Sequence, residues 1–220
     1  MTRSGHPHPS DPKSATLAGL ARLRALFPLE ERLRAAAPAT QAAYAQVLNH
    51  WLRATPPTRT TIGEAALAIL LDLDAVVPEE HGLGCYPFSA HDTGIAVTLP
   101  AGTVNAMCAI DALAIARLAR APTRIDAACA ACGTAIACHV GENGGLDHDQ
   151  ADIARVVWLR AGDAATSCSR GLCRQIRFLC LACPVPHAGE CYTLPQAAAI
   201  GNAFFGFQPA LLAAHAGQRT

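Results

Sequence analysis

The sequence predicts an α+β protein, with an N-terminal helical, winged-helix-like domain followed by a mixed or antiparallel sheet with flanking helices. Three observations carry that expectation. Apolar residues recur at helical spacing through roughly the first third of the chain; from about Gly82 they alternate over short stretches bounded by Gly and Pro; and strongly apolar, Ala-rich helical stretches return further on. Helices first, then strands interleaved with helices, is the order of an α+β fold. At 220 residues, 51% of them hydrophobic, the chain can bury a core as one domain or as a small domain packed on a larger one.

Taken in order, residues 1–15 are polar and Pro-containing and read as a disordered tail. Leu17, Leu20, Leu23, Leu26 and Phe27 then mark a first helix that stops at Pro28. Tyr44, Val47, Leu48, Trp51 and Leu52 form a second apolar face, ended by Thr55-Pro56-Pro57. Thr58-Arg59-Thr60-Thr61-Ile62 caps a third helix, Gly63 to Leu71. Three short helices in residues 16–80 resemble a helix-turn-helix arrangement, but the third helix offers an acid and small apolar residues where a reader of bases carries Arg, Lys, Asn or Gln. The region reads as a packing partner for the domain spanning 81–220. There, Ile95, Val97 and Leu99 make a strand that turns at Pro100-Ala101-Gly102, and an apolar helix runs from Ala106 to Arg120. Strands are expected at Gly133–Val140 and Ala154–Arg160, and an Ala-rich helix from Gln196 onward.

Charge excludes one class of partner. Lys plus Arg and Asp plus Glu are equal at 17 each, so there is no net positive field to hold a phosphate backbone, and no nucleic acid is expected. The N-terminus lacks the apolar stretch of a secretory signal, and Arg and Asp interrupt the Ala/Leu-rich stretches before any reaches the ~20 residues of a membrane span. A cytoplasmic protein without a membrane partner is expected. Ten cysteines are then the anomaly, because a reducing compartment disfavours a disulfide framework and leaves metal binding, catalysis or burial as reasons for them.

The sharpest local feature is Asn105-Ala106-Met107-Cys108-Ala109-Ile110-Asp111. Cys108 and Asp111, three apart, share a helix face. With Asn105 as N-cap, Cys108 falls in the first turn, where free backbone N–H groups stabilise a thiolate, and partial desolvation raises Asp111 toward proton-donating range. A second tract runs from Cys168 through Cys173 and Cys180 to Cys183-Pro184. Leu172, Ile176, Leu179 and Cys183 fit a helical face better than alternation, though a strand stays open, and Arg174 and Arg177 stand close enough to favour a Cys173 thiolate.

Several segments together resemble the organomercurial (alkylmercury) lyase family. Met107-Cys108-Ala109-Ile110-Asp111-Ala112-Leu113 is similar to that family's aromatic-Cys-Ala-Leu-Asp-Thr-Leu segment, with Met107 in place of the aromatic residue. Cys129 stands at the family's separation between its first catalytic cysteine and a structural one. Leu172-Cys173 with Ile176, Phe178 and Leu179 resembles the segment of the second catalytic cysteine, and Pro57 to Ile62 resembles a stretch of the N-terminal helical domain. The resemblance implies that Cys108 and Cys173 bind mercury while Asp111 shuttles a proton to the leaving carbon, releasing RH and leaving Hg²⁺ on these three residues. It implies no required cofactor, Cys129 as a structural thiol, and low-molecular-weight thiols and a mercuric reductase as recipients of the ion in a mercury-detoxification route. Soft thiolates suit a soft, thiophilic metal.

A rival reading comes from Cys129-Ala-Ala-Cys132 and Cys180-Leu-Ala-Cys183, two C-x₂-C pairs of the kind that form zinc knuckles. A zinc-stabilised regulatory or binding protein is the alternative function, with His139, His148 and His187 as further ligand candidates. The two readings are compatible in one molecule.

Overall fold

A computed structural model describes residues 12–159 and 168–216. The fold is α+β. Four helices come first: α1 (Pro12–Leu26), α2 (Leu29–Ala35), α3 (Pro38–Leu52) and α4 (Glu64–Asp72). Because α1 begins at Pro12, the last residues of the stretch read as a tail are helical; residues 1–11 lie outside the described ones. The sequence reading passed over α2. It buries only Leu29 and Leu33, too few positions to register as a period, and complements its dipole with Glu30 and Glu31 in the first turn and Arg32 and Arg34 in the last. Thr58 to Thr61 do form a reciprocal capping box, but it closes a 3₁₀ turn at Arg59–Thr61, and Gly63 is the N-cap of α4.

Trp51 ties these helices to the sheet. Its indole N–H donates to the Leu83 carbonyl at 3.1 Å and its ring stacks on Phe88 with centroids 5.6 Å apart, so helices and sheet share one continuous core.

Strands β1 (Val76–Glu79), β2 (Gly82–Cys85), β3 (Phe88–Ser89), β4 (Ile95–Leu99) and β5 (Gly102–Ala106) precede helix α5 (Ala109–Ala119), and β6 (Thr123–Ala128) and β7 (Ala135–Val140) follow it. They form one antiparallel sheet in the order β1-β2-β3-β5-β4-β6-β7. After β8 (Ala154–Leu159) come the single helical turn α6 (Leu172–Gln175), β9 (Ile176–Cys180) and β10 (Gly189–Thr193); the three strands make a second antiparallel sheet, β10-β8-β9. Arg160, expected to end β8, lies outside the described residues. The helix expected through Cys183 is corrected: only Leu172–Gln175 is helical. Ile176 and Phe178 instead pair with Trp158 and Val156 of β8, where β-branched and aromatic side chains pack well.

Helix α5 is apolar nearly all round, and that is the pattern of a helix enclosed on every side. It packs against β4, β5, β6 and β9, and against α7 (Leu194–Phe204), which precedes α8 (Gln208–Ala214). The approach of α7 is close. A Cβ on Gly201 would lie 2.7 Å from the Ile110 carbonyl oxygen. The stretch Leu194–Ala214 is long and apolar enough to cross a membrane by length and composition, an exception to the expectation that charges break every such run. Its buried residues Ala197, Ala198, Ile200 and Phe204 belong to the core, the mark of an interior helix.

Candidate functional site

Strand β5 runs on through Ala106, so Asn105 is a strand residue paired with Ala96 and Ser89 and not the expected N-cap. Cys108 itself is the N-cap of α5. Its backbone is extended (φ −155°, ψ 177°) and its Sγ accepts the Asp111 N–H at 3.4 Å. Asp111 sits in the first turn with its carboxylate turned inward. The third member arrives from the other sheet's entry turn: Cys173 in α6 donates its S–H to Asp111 Oδ2 at 3.7 Å. The two sulfurs and a carboxylate oxygen all lie within 4.8 Å of one another, and the three residues are only 2%, 5% and 4% exposed for Cys108, Asp111 and Cys173. Two soft thiols and one hard oxygen converge on one point, a donor set able to hold a thiophilic cation and to move a proton beside it.

Burial decides the charge of this site. It pushes the Asp111 carboxyl from its ordinary 3.8 up to about 7, against hydrogen bonds from Cys108 and Cys173 that pull it down. Cys108 is raised well above the ordinary thiol value, by burial first and then by its hydrogen bond with Cys173 and the neighbouring Asp111 charge. For Cys173 a hydrogen bond from Cys108 lowers the value, but the Cys168 thiol, burial and the nearby acidic groups outweigh it. The expected resting thiolates are therefore corrected: desolvation exceeds what one N–H donor at a helix start offsets, and Arg174 and Arg177 are exposed and do not counter it. A thiol in this site keeps its proton until an incoming metal displaces it to a nearby base.

A raised carboxyl has a signed consequence for stability. The fold favours the protonated acid, so Asp111's contribution is complete below about pH 4 and is lost as pH rises to about 7. Asp111→Asn, neutral throughout, should flatten that part of the profile, by on the order of 1.4 kcal/mol per pH unit within the window. Denaturant melts of both proteins at several pH values check this; equal slopes between pH 4 and 7 would contradict the burial argument.

Sequence reasoning missed the groups that hold Cys173 in place. Cys168 lies with its Sγ 3.6 Å from that of Cys173, and its carbonyl accepts the Cys173 N–H at 3.0 Å. The Cys168 N–H donates to Asp74 Oδ2 at 2.8 Å, the Ser169 N–H to the Tyr86 hydroxyl at 2.8 Å, and that hydroxyl in turn to Asp74 Oδ1 at 3.2 Å. Asp74 follows α4 and Tyr86 lies between β2 and β3, so only the folded topology joins them to Cys168. A buried tyrosine with a carboxylate acceptor leaves no local pattern in sequence.

An open cleft of about 480 Å³ leads to the site, lined in part by Met107, Ser169, Arg170, Cys173, Arg174 and Ile176. Cys108 and Asp111 lie behind it, beside a void of about 10 Å³ shared with Tyr86, Cys168 and Phe204, too small for more than a single water. Cys173 borders both spaces.

The remaining sequence-predicted ligands gather separately. Cys129, Cys132, Cys180 and Cys183 have their four sulfurs within 4.8 Å of one another. Among the described residues neither His139 nor His187 joins them, and the His148 side chain is outside the described ones. Cys129 is buried, while Cys132 is exposed.

Residues 88–185, which contain both cysteine clusters, match the family model described as alkylmercury lyase. The resemblance read from the sequence is to the family whose model the chain matches. Comparison with curated proteins finds no match. Among solved structures the chain is similar to the mercury-bound form of MerB2, with a TM-score of 0.52 and 22% identity over 91% of this chain and 100% of that one. At that identity the likeness is one of fold.

Proposed function

We propose that this chain is an organomercurial lyase that cleaves a carbon–mercury bond by protonolysis, with Cys108, Asp111 and Cys173 as its catalytic residues. The observation that carries the reading is the convergence of two thiols and one carboxylate, from two different sheets' connections, on a single buried point within a segment that matches the alkylmercury lyase model. Helices α1 to α4 with the β1–β2 hairpin are read as a winged-helix-like packing module.

Each step follows from where a group lies. The substrate arrives as R–Hg⁺ carried on a small thiol. Cys173 borders the cleft, so its sulfur bonds mercury first, and its proton goes to the departing thiolate. Cys108 then attacks the same mercury, and its proton passes to Asp111, whose raised affinity for a proton suits it to receive one. Two thiolates now push electron density through mercury toward carbon. The mercury–carbon bond breaks with its electron pair on carbon, which takes the proton from Asp111 as it forms. RH leaves; Hg²⁺ remains on two thiolates with the regenerated carboxylate beside it. Enclosure of the site keeps bulk water from competing for the proton relay. No resident cofactor enters this scheme, and small thiols would draw the ion off, in the cytoplasm for onward reduction.

Release of benzene from a phenylmercury salt in excess thiol, followed by headspace chromatography, tests the reading. The expected result is turnover that scales with enzyme. Release no faster than from thiol alone would overturn it.

A further inference from the structure

We infer that Cys129, Cys132, Cys180 and Cys183 form a tetrathiolate zinc site that staples the two sheets together, distinct from the Cys108–Asp111–Cys173 cluster. The geometry is that of a closed structural site. Cys129 Sγ lies 3.8 Å from Cys183 Sγ, and Cys132 Sγ lies 3.6 Å from Cys180 Sγ. A tetrahedron with Zn–S bonds of ~2.3 Å has sulfur–sulfur edges of about 3.8 Å, so the thiols already stand near metal-bound spacing. All four positions are sulfur, leaving no open coordination place for a substrate, and four-thiolate tetrahedral sites belong to zinc or iron, whereas mercury is satisfied by two sulfurs.

The backbone is arranged for the same purpose. Each pair sits on a tight turn. Gly133 N–H donates to the Cys129 carbonyl at 2.9 Å with Gly133 at φ +74°, the left-handed conformation that a turn after a second cysteine requires and that glycine adopts freely. Cys183 N–H donates to the Cys180 carbonyl at 3.3 Å in the other turn. Backbone N–H groups point at sulfur: Cys180 N donates to Cys129 Sγ at 3.3 Å, joined by those of Ala131 and Cys132. Donors of this kind stabilise metal-bound thiolates. Arg155 adds positive charge beside the second turn, its guanidinium donating to the Leu181 and Cys183 carbonyls at 2.7 and 3.0 Å.

The position explains what the metal does. Cys129 and Cys132 lie in the β6–β7 connection of the large sheet; Cys180 ends β9 and Cys183 follows it in the small one. Beyond the cysteines, Ala130 N–H to the Phe178 carbonyl at 2.9 Å bridges the same two segments. Cys132 and Leu181 are exposed, so these turns have little apolar burial to hold them, and a metal supplies the missing constraint. Strand β9 starts directly after the turn that carries Cys173.

The test is metal analysis of the full chain purified from zinc-replete medium and passed over a desalting column with a weak chelator. One zinc per chain is expected, retained by Cys108→Ser and by Cys191→Ser, an exposed cysteine outside the cluster, and lost from Cys132→Ser and Cys180→Ser together with a lowered melting temperature. Should those variants fail to fold, cobalt exchanged into the wild-type chain decides: intense visible bands of tetrahedral cobalt with thiolate charge-transfer bands are expected. Absence of stoichiometric zinc, iron in its place, zinc lost with Cys108→Ser, octahedral cobalt spectra, or disulfides among these four cysteines by intact mass would each overturn the assignment. None of these readouts depends on lyase activity.

Discussion

Cys108→Ser and Cys173→Ser are each expected to reduce hydrocarbon release from a phenylmercury salt to below a few per cent of wild type while the fold persists. A hydroxyl neither ionises near neutrality nor competes for a soft metal, so each variant would lack one of the two sulfur bonds that the proposed mechanism uses to weaken the carbon–mercury bond. The structure makes both substitutions clean. Cys108 is the N-cap of α5 and already accepts the Asp111 N–H through its side chain, and serine is among the preferred residues at that position. In Cys173→Ser the new hydroxyl can take over the donation that the Cys173 thiol makes to Asp111 Oδ2. Unchanged melting temperature with lost turnover is therefore the expected pair of results. Turnover above a few per cent in either variant would refute the two-thiol chemistry.

Asp111→Ala and Asp111→Asn are expected to separate binding from cleavage. Both thiols remain, so under the proposed mechanism the organomercurial should still be captured, with no group at that point to accept the Cys108 proton and return it to carbon. A loss of ~10²-fold or more in release is expected, about 2.7 kcal/mol of transition-state stabilisation. Asn is the sharper variant, since it keeps the size and neutrality of the protonated acid and removes only its ability to exchange a proton. Thiol titration for capture and headspace chromatography for release, run on one preparation, make the comparison. Near wild-type release from Asp111→Asn would remove the carboxylate from the mechanism, even with both cysteines essential.

Much of this site could be read from the chain because its densest part is local. Cys108 and Asp111 are one helical turn apart on an apolar helix, and spacing alone puts them together. Cys173 is different: no periodicity connects it to Cys108, and only the resemblance to a known family paired them before the fold did. The protonation of the site departs from what local sequence implies for a physical reason. A helix start and two arginines argue for a thiolate in a solvated setting, but the enclosure of α5 by sheet and helix makes desolvation the larger effect, and enclosure is a tertiary property. The boundary of α5 shifted for a similar reason, since pairing of β5 with β4 outcompeted Asn105 as a cap. In the Cys173 tract, apolar residues at 176, 178 and 179 fit a helix and a strand about equally, and the neighbour β8 settled the choice. The Asp74–Tyr86–Cys168 strap left no trace at all, because its members lie in three separate connections.

The central claim, that this buried triad breaks a carbon–mercury bond and keeps the metal, is tested most directly by a single turnover without free thiol. Enzyme in excess is mixed with a phenylmercury salt, the headspace is assayed for benzene, and the protein is desalted and assayed for mercury. One benzene per mercury added, with the mercury eluting on the wild-type protein as Hg²⁺ and no Hg²⁺ formed on Cys108→Ser or Cys173→Ser, is the predicted result. Mercury retained with its phenyl group still attached, and no benzene above the protein-free control, would make the chain a binder of organomercurials and contradict the account.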